Sequence, residues 1–224
     1  LDRAPHTAAQ GDVLMGENAY FVAAGARSPH SYIADSCATC HMELTPPPAE
    51  FSYNLAGTNH AFKASLKTCA QCHGAFDGGT LQKATHTRLV ALEAALRVAI
   101  EKEIAAQTKA GNTVVLVGRG ASGADVVITA ASTVSVPSLV ETGGRQGMNI
   151  TVGGTTYSNV RLASHTAVKN ASGITVATLL TSAYGQTIAK AGWNYWLLHG
   201  DGSDGIHNPN FTNDIINASL NALK

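Results

Sequence analysis

All four cysteines of this 224-residue chain fall into two pentads that share the pattern C-x-x-C-H. The first pentad occupies residues 37–41 (CATCH) and the second occupies residues 69–73 (CAQCH). No cysteine is left for a disulfide or for an isolated nucleophile. Residues 1–82 also contain few large aliphatic side chains, so this stretch cannot build an ordinary apolar core. Whatever the pentads bind is therefore expected to organise this part of the fold.

C-x-x-C-H is the attachment motif of haem c. Two thiols at this spacing reach the two vinyl groups of one porphyrin and form thioethers, and the histidine that follows binds the iron as its proximal ligand. We therefore predict two covalently attached haem c groups, each with its iron. The predicted attachment residues are Cys37, Cys40, Cys69 and Cys72, and the predicted proximal ligands are His41 and His73.

Zinc binding and a redox-active dithiol are the two alternatives to haem. A zinc ribbon uses two C-x-x-C pairs, but the loop between the pairs is longer here than the about 15 to 20 residues of a ribbon. Zinc also has no need of a histidine directly after both pairs. A thioredoxin-like dithiol lies beside a strand–helix unit and does not occur twice. Two complete motifs with no stray cysteine favour covalent haem.

Four histidines outside the pentads lie in contexts that suit a distal iron ligand. His30 and His60 each precede a pentad, in segments too poor in large aliphatic residues to pack alone. His207 lies in a GIHNP loop, where glycine and proline fix the backbone and orient the ring. His6 follows a proline near the start of the sequence. The other three histidines carry a weaker signal or none: His86, His165 and His199.

A histidine as sixth ligand closes the iron coordination and gives a low-potential centre suited to electron transfer. Two irons need only two distal ligands, so the candidates exceed the demand. We therefore expect some of these histidines to bind irons whose haems belong to an upstream part of the polypeptide or to a neighbouring subunit.

Sequence patterns divide the chain into four parts and predict an α+β fold. Residues 1–82 are predicted to form haem-organised coil with short helices, which holds both pentads. Residues 83–111 are predicted to form one long helix. Residues 112–180 are predicted to form a small antiparallel β module inserted between helices. Residues 181–224 are predicted to form C-terminal helices joined by the His-Asn-Pro loop.

The long-helix pattern is supported by a stripe of apolar residues, an i,i+4 pair Glu93–Arg97 and a stop at Gly111. The stripe comprises Leu89, Leu92, Leu96, Ile100 and Ile104. Two C-terminal helices are predicted over about Ser182–His199 and Thr212–Leu223.

The β module is predicted from runs of β-branched residues separated by Gly and Ser. The candidate strands are Val114–Val117, Asp125–Thr129, Val134–Val136, Asn149–Val152, Thr155–Tyr157 and Ile174–Thr178. Gly153-Gly154 is predicted to be a two-residue hairpin turn. Residues 118–123 match G-x-G-x-x-G, but a dinucleotide site needs a helix next and the following residues favour a strand.

Charge and hydropathy argue against two kinds of partner. The formal net charge is +0, only 13% of residues are charged and no Lys/Arg run occurs, which argues against nucleic acid. No apolar run approaches the roughly 18 to 20 residues that a membrane-spanning helix needs. Haem c is attached outside the cytoplasm, so we expect a periplasmic or extracellular, secreted protein. The first six residues lack the features of a secretion signal, so we expect a mature product or part of a longer one.

Residues 29–42 and 58–74, which contain the pentads, and residues 193–209, which contain WNYW and GIHNP, form a recognisable set. Together they resemble the C-terminal region of the multihaem c-type cytochromes of bacterial and archaeal respiratory chains. The resemblance implies bis-histidine haems stacked as an electron wire. It also implies His30, His60 and His207 as distal ligands, with His6 as a further candidate.

Two features depart from that family. Its members usually carry four or more pentads, and the β module has no recognised counterpart among them. Both departures fit the last segment of a larger cytochrome, or a small subunit that shares haems with its neighbours, as in extracellular cytochrome filaments.

The expected function is electron transfer without bond chemistry, so the chain is not expected to be an enzyme. Expected partners are other c-type cytochromes or copies of itself, together with redox donor and acceptor proteins or an extracellular acceptor. Two alternatives stay open. One is the C-terminal domain of a multihaem reductase of oxyanions or nitrogen compounds, which would keep one iron open. The other is a structural subunit of an extracellular cytochrome filament, joined through the β module.

Overall fold

The computed structural model describes residues 5, 7–44, 62–118, 125–161 and 166–224. Helices and two small antiparallel sheets make up these ranges, which confirms the predicted α+β class. The strands follow one set of helices and precede another, so the β segment is an insertion between helical segments. In these ranges no helix is both long enough and apolar enough to cross a bilayer.

In the described residues before residue 78, short helices are joined by coil. They are α1 (Gln10–Met15), a 3₁₀ helix (Pro29–Tyr32), α2 (Ser36–His41) and α3 (Leu66–His73). α2 contains the first pentad and α3 contains the second, and each helix ends at its pentad histidine. Among the described residues of this region, the buried hydrophobic side chains are Ala9 and Val13.

α4 (Gly78–Lys109) is the long helix, and it begins earlier than the predicted start at residue 83. The Asp77 carboxylate caps it by accepting hydrogen bonds from the backbone N–H of Thr80 at 3.2 Å and from its hydroxyl at 2.6 Å. The helix stops before Gly111, whose φ of +82° is left-handed, as the sequence predicts. The predicted apolar stripe is buried: Leu89, Leu92, Leu96, Ile100 and Ile104.

α5 (Ala183–Asp201) and α6 (Pro209–Ala222) confirm the two predicted C-terminal helices, and both pack against α4. Ser182 caps α5 by accepting the N–H of Gly185 at 2.8 Å. Asn208 caps α6 by accepting the N–H of Phe211 at 3.3 Å. Together with α4 these helices hold half of the buried hydrophobic residues, among them Ile188, Tyr195, Leu198, Phe211, Ile215 and Ile216.

The β segment consists of two separate sheets in which all neighbouring strands are antiparallel. One sheet has the order β2 (Val126–Ile128), β1 (Thr113–Leu116), β6 (Ala167–Lys169), β7 (Thr175–Thr178). The other has the order β3 (Val134–Thr142), β4 (Arg145–Val152), β5 (Thr155–Val160). Strand β6 was not predicted, because it holds a single β-branched residue, Val168, whereas β2 consists of three consecutive ones.

Two-residue glycine turns connect β3 to β4 and β4 to β5. Gly153 and Gly154 have φ of +57° and +84°, which confirms the predicted hairpin. Gly143 and Gly144, with φ of +58° and +70°, form a second turn of the same kind that the sequence analysis missed. After Gly118 the next described element is β2, so a strand follows the glycine-rich segment, most of which lies outside the described residues.

Charged side chains of α4 cover the outer edge of β3. Glu93 and Glu101 accept the backbone N–H groups of Leu139 and Val136 at 3.2 and 2.6 Å. Arg97 forms the predicted pair with Glu93 at 3.9 Å and also donates to backbone carbonyls of β3. These contacts satisfy polar backbone groups that an edge strand otherwise leaves open. Strand β3 is thereby attached to α4.

Candidate haem site

Helical geometry places the reactive side chains of each pentad on one surface. Residues i, i+3 and i+4 of an α-helix share a face. α2 presents Cys37, Cys40 and His41 at this spacing, and α3 repeats the arrangement over residues 69–73. The cysteines are free thiols, and each is at least partly exposed. Each helix therefore offers two thiols and one imidazole from one side, as a single porphyrin requires.

The thiols of the two pentads lie near one another. The pKa of the Cys40 thiol is raised, first by burial and then by the neighbouring thiol groups of Cys69, Cys37 and Cys72. The Cys40 thiol of the first pentad is therefore within electrostatic reach of the second pentad.

Glu43 connects the two pentad helices. Its carboxylate lies just after α2 and accepts hydrogen bonds from the hydroxyls of Thr68 and Ser65, the latter at 2.7 Å. Ser65 is also the N-cap of α3 and accepts the N–H of Lys67 at 3.2 Å. The Thr68 and Ser65 hydrogen bonds lower the pKa of Glu43, so the carboxylate is ionised at neutral pH. This contact sets how the second pentad lies relative to the first.

Each pentad histidine faces a second histidine. The ring centroids of His73 and His30 are 5.9 Å apart, and those of His41 and His207 are 6.2 Å apart. Two imidazoles that bind one metal ion from opposite sides have centroids about 6 Å apart, because each metal–nitrogen bond is about 2 Å long. Both pairs therefore have the spacing that an iron held by two histidines requires.

Three of these four rings donate Nδ1–H to a protein oxygen. The bonds join His30 to the Ile206 carbonyl at 3.2 Å, His41 to the Phe62 carbonyl at 3.0 Å, and His207 to the Asp201 carboxylate at 2.5 Å. Because these partners accept hydrogen bonds, Nδ1 carries a proton in each ring, and in a neutral imidazole Nε2 is then the nitrogen that can bind a metal. Such a bond on the far nitrogen is the usual accompaniment of a metal-binding histidine.

The loop before α6 holds His207 by a short chain of hydrogen bonds. Asp201 accepts the Ser203 hydroxyl at 2.5 Å, and the Ser203 oxygen accepts the backbone N–H of His207 at 3.2 Å. Gly205 has a φ of +92°, and a Cβ there would lie 2.9 Å from the Thr85 hydroxyl on α4. Glycine therefore lets this loop pass close to α4, as the GIHNP pattern suggests.

His30 is held at the start of the 3₁₀ helix. Ser28 is buried and accepts the backbone N–H of His30 at 3.2 Å, and Pro29 fixes the first helical position. The backbone N–H of Ser28 in turn donates to the carbonyl of Leu14 at 2.9 Å. The segment therefore folds back onto α1, and the ring reaches the second pentad instead of the first, which is closer in sequence.

Large apolar side chains are left exposed beside the pentads. Tyr32, Leu44, Phe62 and Leu66 are 73%, 84%, 55% and 56% exposed. The ring of Phe62 also stacks on that of His41, with centroids 4.7 Å apart. Apolar surface next to facing histidines and paired thiols fits a flat apolar group such as a porphyrin. The residues present therefore fit haem c.

Within the described ranges, no group of three or more His, Cys, Asp or Glu side chains is arranged to hold a bare metal ion. A haem iron receives four nitrogens from its porphyrin and needs only two axial ligands from the protein. The two histidine pairs are therefore the groups to compare with the two axial ligands that a haem iron needs.

The structure does not describe every histidine that the sequence singles out. His6 and His60, both predicted as distal ligands, lie outside the described residues, as does His165. The remaining two contact carboxylates, His86 with Asp204 at 3.6 Å and His199 with Glu141 at 3.9 Å.

The sequence analysis missed several residues that shape the site. Asp201 and Glu43 had no motif that assigned them a role, and the partners of Glu43 lie 22 and 25 residues away in the chain. Phe62 contributes its ring and its carbonyl to His41, but it lies 21 residues away in the chain. A search for carboxylates close in sequence to the candidate histidines would have returned both Asp201, six residues before His207, and Glu43, two residues after His41.

Comparison with known proteins identifies no relative: no protein-family model, curated protein or solved structure matches this chain.

Proposed function

We propose that this chain carries electrons through two covalently attached c haems and performs no bond chemistry. The proposed attachment residues are Cys37, Cys40, Cys69 and Cys72, the proximal ligands are His41 and His73, and the distal ligands come from His30, His207, His60 and His6. Haem iron supplies reversible one-electron oxidation and reduction when bound. The side chains position it, close its coordination sphere and exclude other ligands.

The facing histidine rings carry this proposal. If each pentad histidine and the imidazole whose centroid lies 5.9 or 6.2 Å away bind the same iron, no coordination position stays open for a substrate. The Nδ1 hydrogen bonds hold three of the rings in one tautomer, which keeps the ligand geometry similar in both oxidation states. A small change in geometry between oxidation states favours fast electron transfer.

A reductase domain for oxyanions or nitrogen compounds is the second candidate. It would keep one iron open to substrate, and the pairing of both pentad histidines with another ring favours the carrier over it.

We also propose that the chain belongs to a multihaem assembly. The pentads are similar to those of respiratory multihaem cytochromes, so we propose a periplasmic or extracellular location. Other c-type cytochromes or copies of this chain are the proposed partners in a wire. His6 and His60 are candidates for haems attached elsewhere in that assembly. The β segment is the candidate contact surface if the chain is a filament subunit.

Spectroscopy of the chain produced in a host that attaches haem c tests the proposal. We expect two haems per chain, a low-spin spectrum in both oxidation states, and no change on adding cyanide, nitrite or hydroxylamine. A high-spin signal that responds to these ligands would favour the reductase. A colourless product with unmodified mass would refute haem binding.

A further inference from the structure

We infer that the distal ligands are arranged crosswise: His30 serves the haem on the second pentad, and His207 serves the haem on the first. This assignment rests on the proposed function and extends it. It reverses the expectation from chain order, because His30 immediately precedes the first pentad in the sequence.

Ring distances carry the assignment. His30 contacts His73 with centroids 5.9 Å apart, and His207 contacts His41 with centroids 6.2 Å apart. Two axial imidazoles of one metal require a spacing of about 6 Å. The rings are inclined to each other by 85° and 62°, an edge-to-face arrangement that ring packing also favours, so the assignment depends on the spacing together with the Nδ1 hydrogen bonds.

Hydrogen bonds orient both distal rings independently of any metal. His30 donates Nδ1–H to the Ile206 carbonyl at 3.2 Å, and His207 donates Nδ1–H to the Asp201 carboxylate at 2.5 Å. In both rings the free nitrogen is Nε2, the atom that is left to bind a metal. The acceptor of His30 belongs to the residue before His207, so the two distal positions share one loop.

The contacts of that loop explain why the ligands cross. Ile206 reaches toward the second pentad helix, since a Cβ on Gly78 would meet Ile206 Cδ1 at 3.7 Å and Leu66 Cδ2 at 3.5 Å. Gln82 of α4 donates to the Ser203 carbonyl at 3.2 Å. The loop is thus anchored on α4, with His207 on the side of α2 and Ile206 on the side of α3.

Double substitutions that leave all four cysteines in place test the crosswise arrangement. His30→Ala with His73→Ala removes both ligands of one iron, so one of the two haems is expected to stay low-spin. His30→Ala with His41→Ala removes one ligand from each iron, so no low-spin haem is expected. The converse is expected for His207→Ala. Combined with His41→Ala it should leave one low-spin haem, and combined with His73→Ala it should leave none. Electron paramagnetic resonance counts the low-spin haems.

Each other outcome overturns the assignment. If the double variant with His73→Ala has no low-spin haem and the one with His41→Ala has one, His30 serves the first pentad and the ligands follow chain order. If His30→Ala or His207→Ala alone leaves two low-spin haems, that ring is no ligand. The assignment also predicts that His60→Ala keeps both haems low-spin, as should the control His199→Ala. Loss of a low-spin haem in His60→Ala would contradict it.

Single-haem chains supply a second measurement if a double variant loses haem. With Cys37→Ala and Cys40→Ala, only the second haem remains, and His30→Ala should make it high-spin while His207→Ala should not. The opposite response would overturn the assignment. A parent chain that holds no haem, or that is already high-spin before any distal substitution, would instead refute the proposed function.

Discussion

The described residues before 78 and those after it differ in how they hold their structure. After residue 78, helices and sheets enclose apolar side chains such as Leu92, Ile150 and Ile215, which are fully or nearly fully buried. Before residue 78, two small hydrophobic residues are buried, while Tyr32 and Leu44 are mostly exposed. Few of the described residues in the first region are buried hydrophobic ones, so under the proposed function we expect the haems to supply the missing apolar contacts.

Buried asparagines connect the two regions. Asn194 of α5 exchanges hydrogen bonds with the backbone of Tyr20, accepting at 2.8 Å and donating at 2.8 Å. Asn208 donates to the carbonyls of Val13 and Ala26 at 3.1 and 2.7 Å. The asparagines of the WNYW and HNP segments therefore attach the coil before the first pentad to the C-terminal helices.

Removing haem attachment should have the largest effect on the difference between the residues before and after residue 78. In the full chain with all four cysteines changed to Ala, we expect residues 7–44 and 62–77 to lose most of their protection against amide hydrogen exchange. α4, α5 and α6 should keep theirs, because their apolar core is complete within the chain. Hydrogen exchange with mass spectrometry, compared with the haem-loaded protein, measures both regions. Equal protection of both regions in the haem-free chain would contradict the contrast.

A core substitution should lower global stability without changing the haem spectrum. Phe211 is buried among the C-terminal helices, so Phe211→Ala is expected to lower the free energy of unfolding by about 3 to 5 kcal/mol. Urea unfolding followed by circular dichroism measures the loss. The control Val98→Ala changes a side chain that is 58% exposed and should cost less than about 0.5 kcal/mol. A spectral change at low urea in Phe211→Ala would argue that the two regions are not separable.

Substitution of a connecting asparagine should have an intermediate effect. Asn194→Ala leaves buried partners of Asn194 on the Tyr20 backbone and on Ser219 unsatisfied, so we expect a loss of about 2 kcal/mol. Residues 9–28 should also exchange amide hydrogens faster than in the unmodified chain. The exposed Asn221→Ala serves as control and should change neither quantity. Unchanged exchange in residues 9–28 would mean that the connection lies elsewhere.

Removing the Asp77 cap at the start of α4, where the two regions meet, should have the smallest effect on stability, and that effect should depend on pH. The Thr80 hydroxyl and backbone N–H lower the pKa of Asp77, so its contribution is present above the pKa of an unfolded aspartate and is lost as pH falls through the lowered value. Asp77→Ala should therefore be less stable than the unmodified chain at neutral pH and should approach it between about pH 4 and 2. Asp77→Asn keeps a capping oxygen but cannot titrate, so its stability should lack this pH dependence. Parallel stability curves for all three chains would contradict the role of the cap.

Much of the fold could be predicted because its signals are local. The stripe from Leu89 to Ile104, the stop at Gly111 and the turn at Gly153-Gly154 all depend on residues a few positions apart. Predictions were least complete where a partner lies far away in the chain. Glu93 and Arg97 have the spacing of a surface ion pair, and the sequence offers no sign that they also bind the backbone of β3.

The sequence by itself determined where haem-binding chemistry is to be expected and which stretches are helix or strand, because thiol spacing and side-chain periodicity are properties of neighbouring residues. Only the tertiary structure decided which histidine faces which pentad. The ring of His30 contacts His73 of the second pentad instead of the first pentad, which follows it in the chain. The ring of His207, near the C-terminal end of the sequence, contacts His41. Such encounters depend on how α4 and the loop before α6 pack together, and spacing along the chain does not encode that packing.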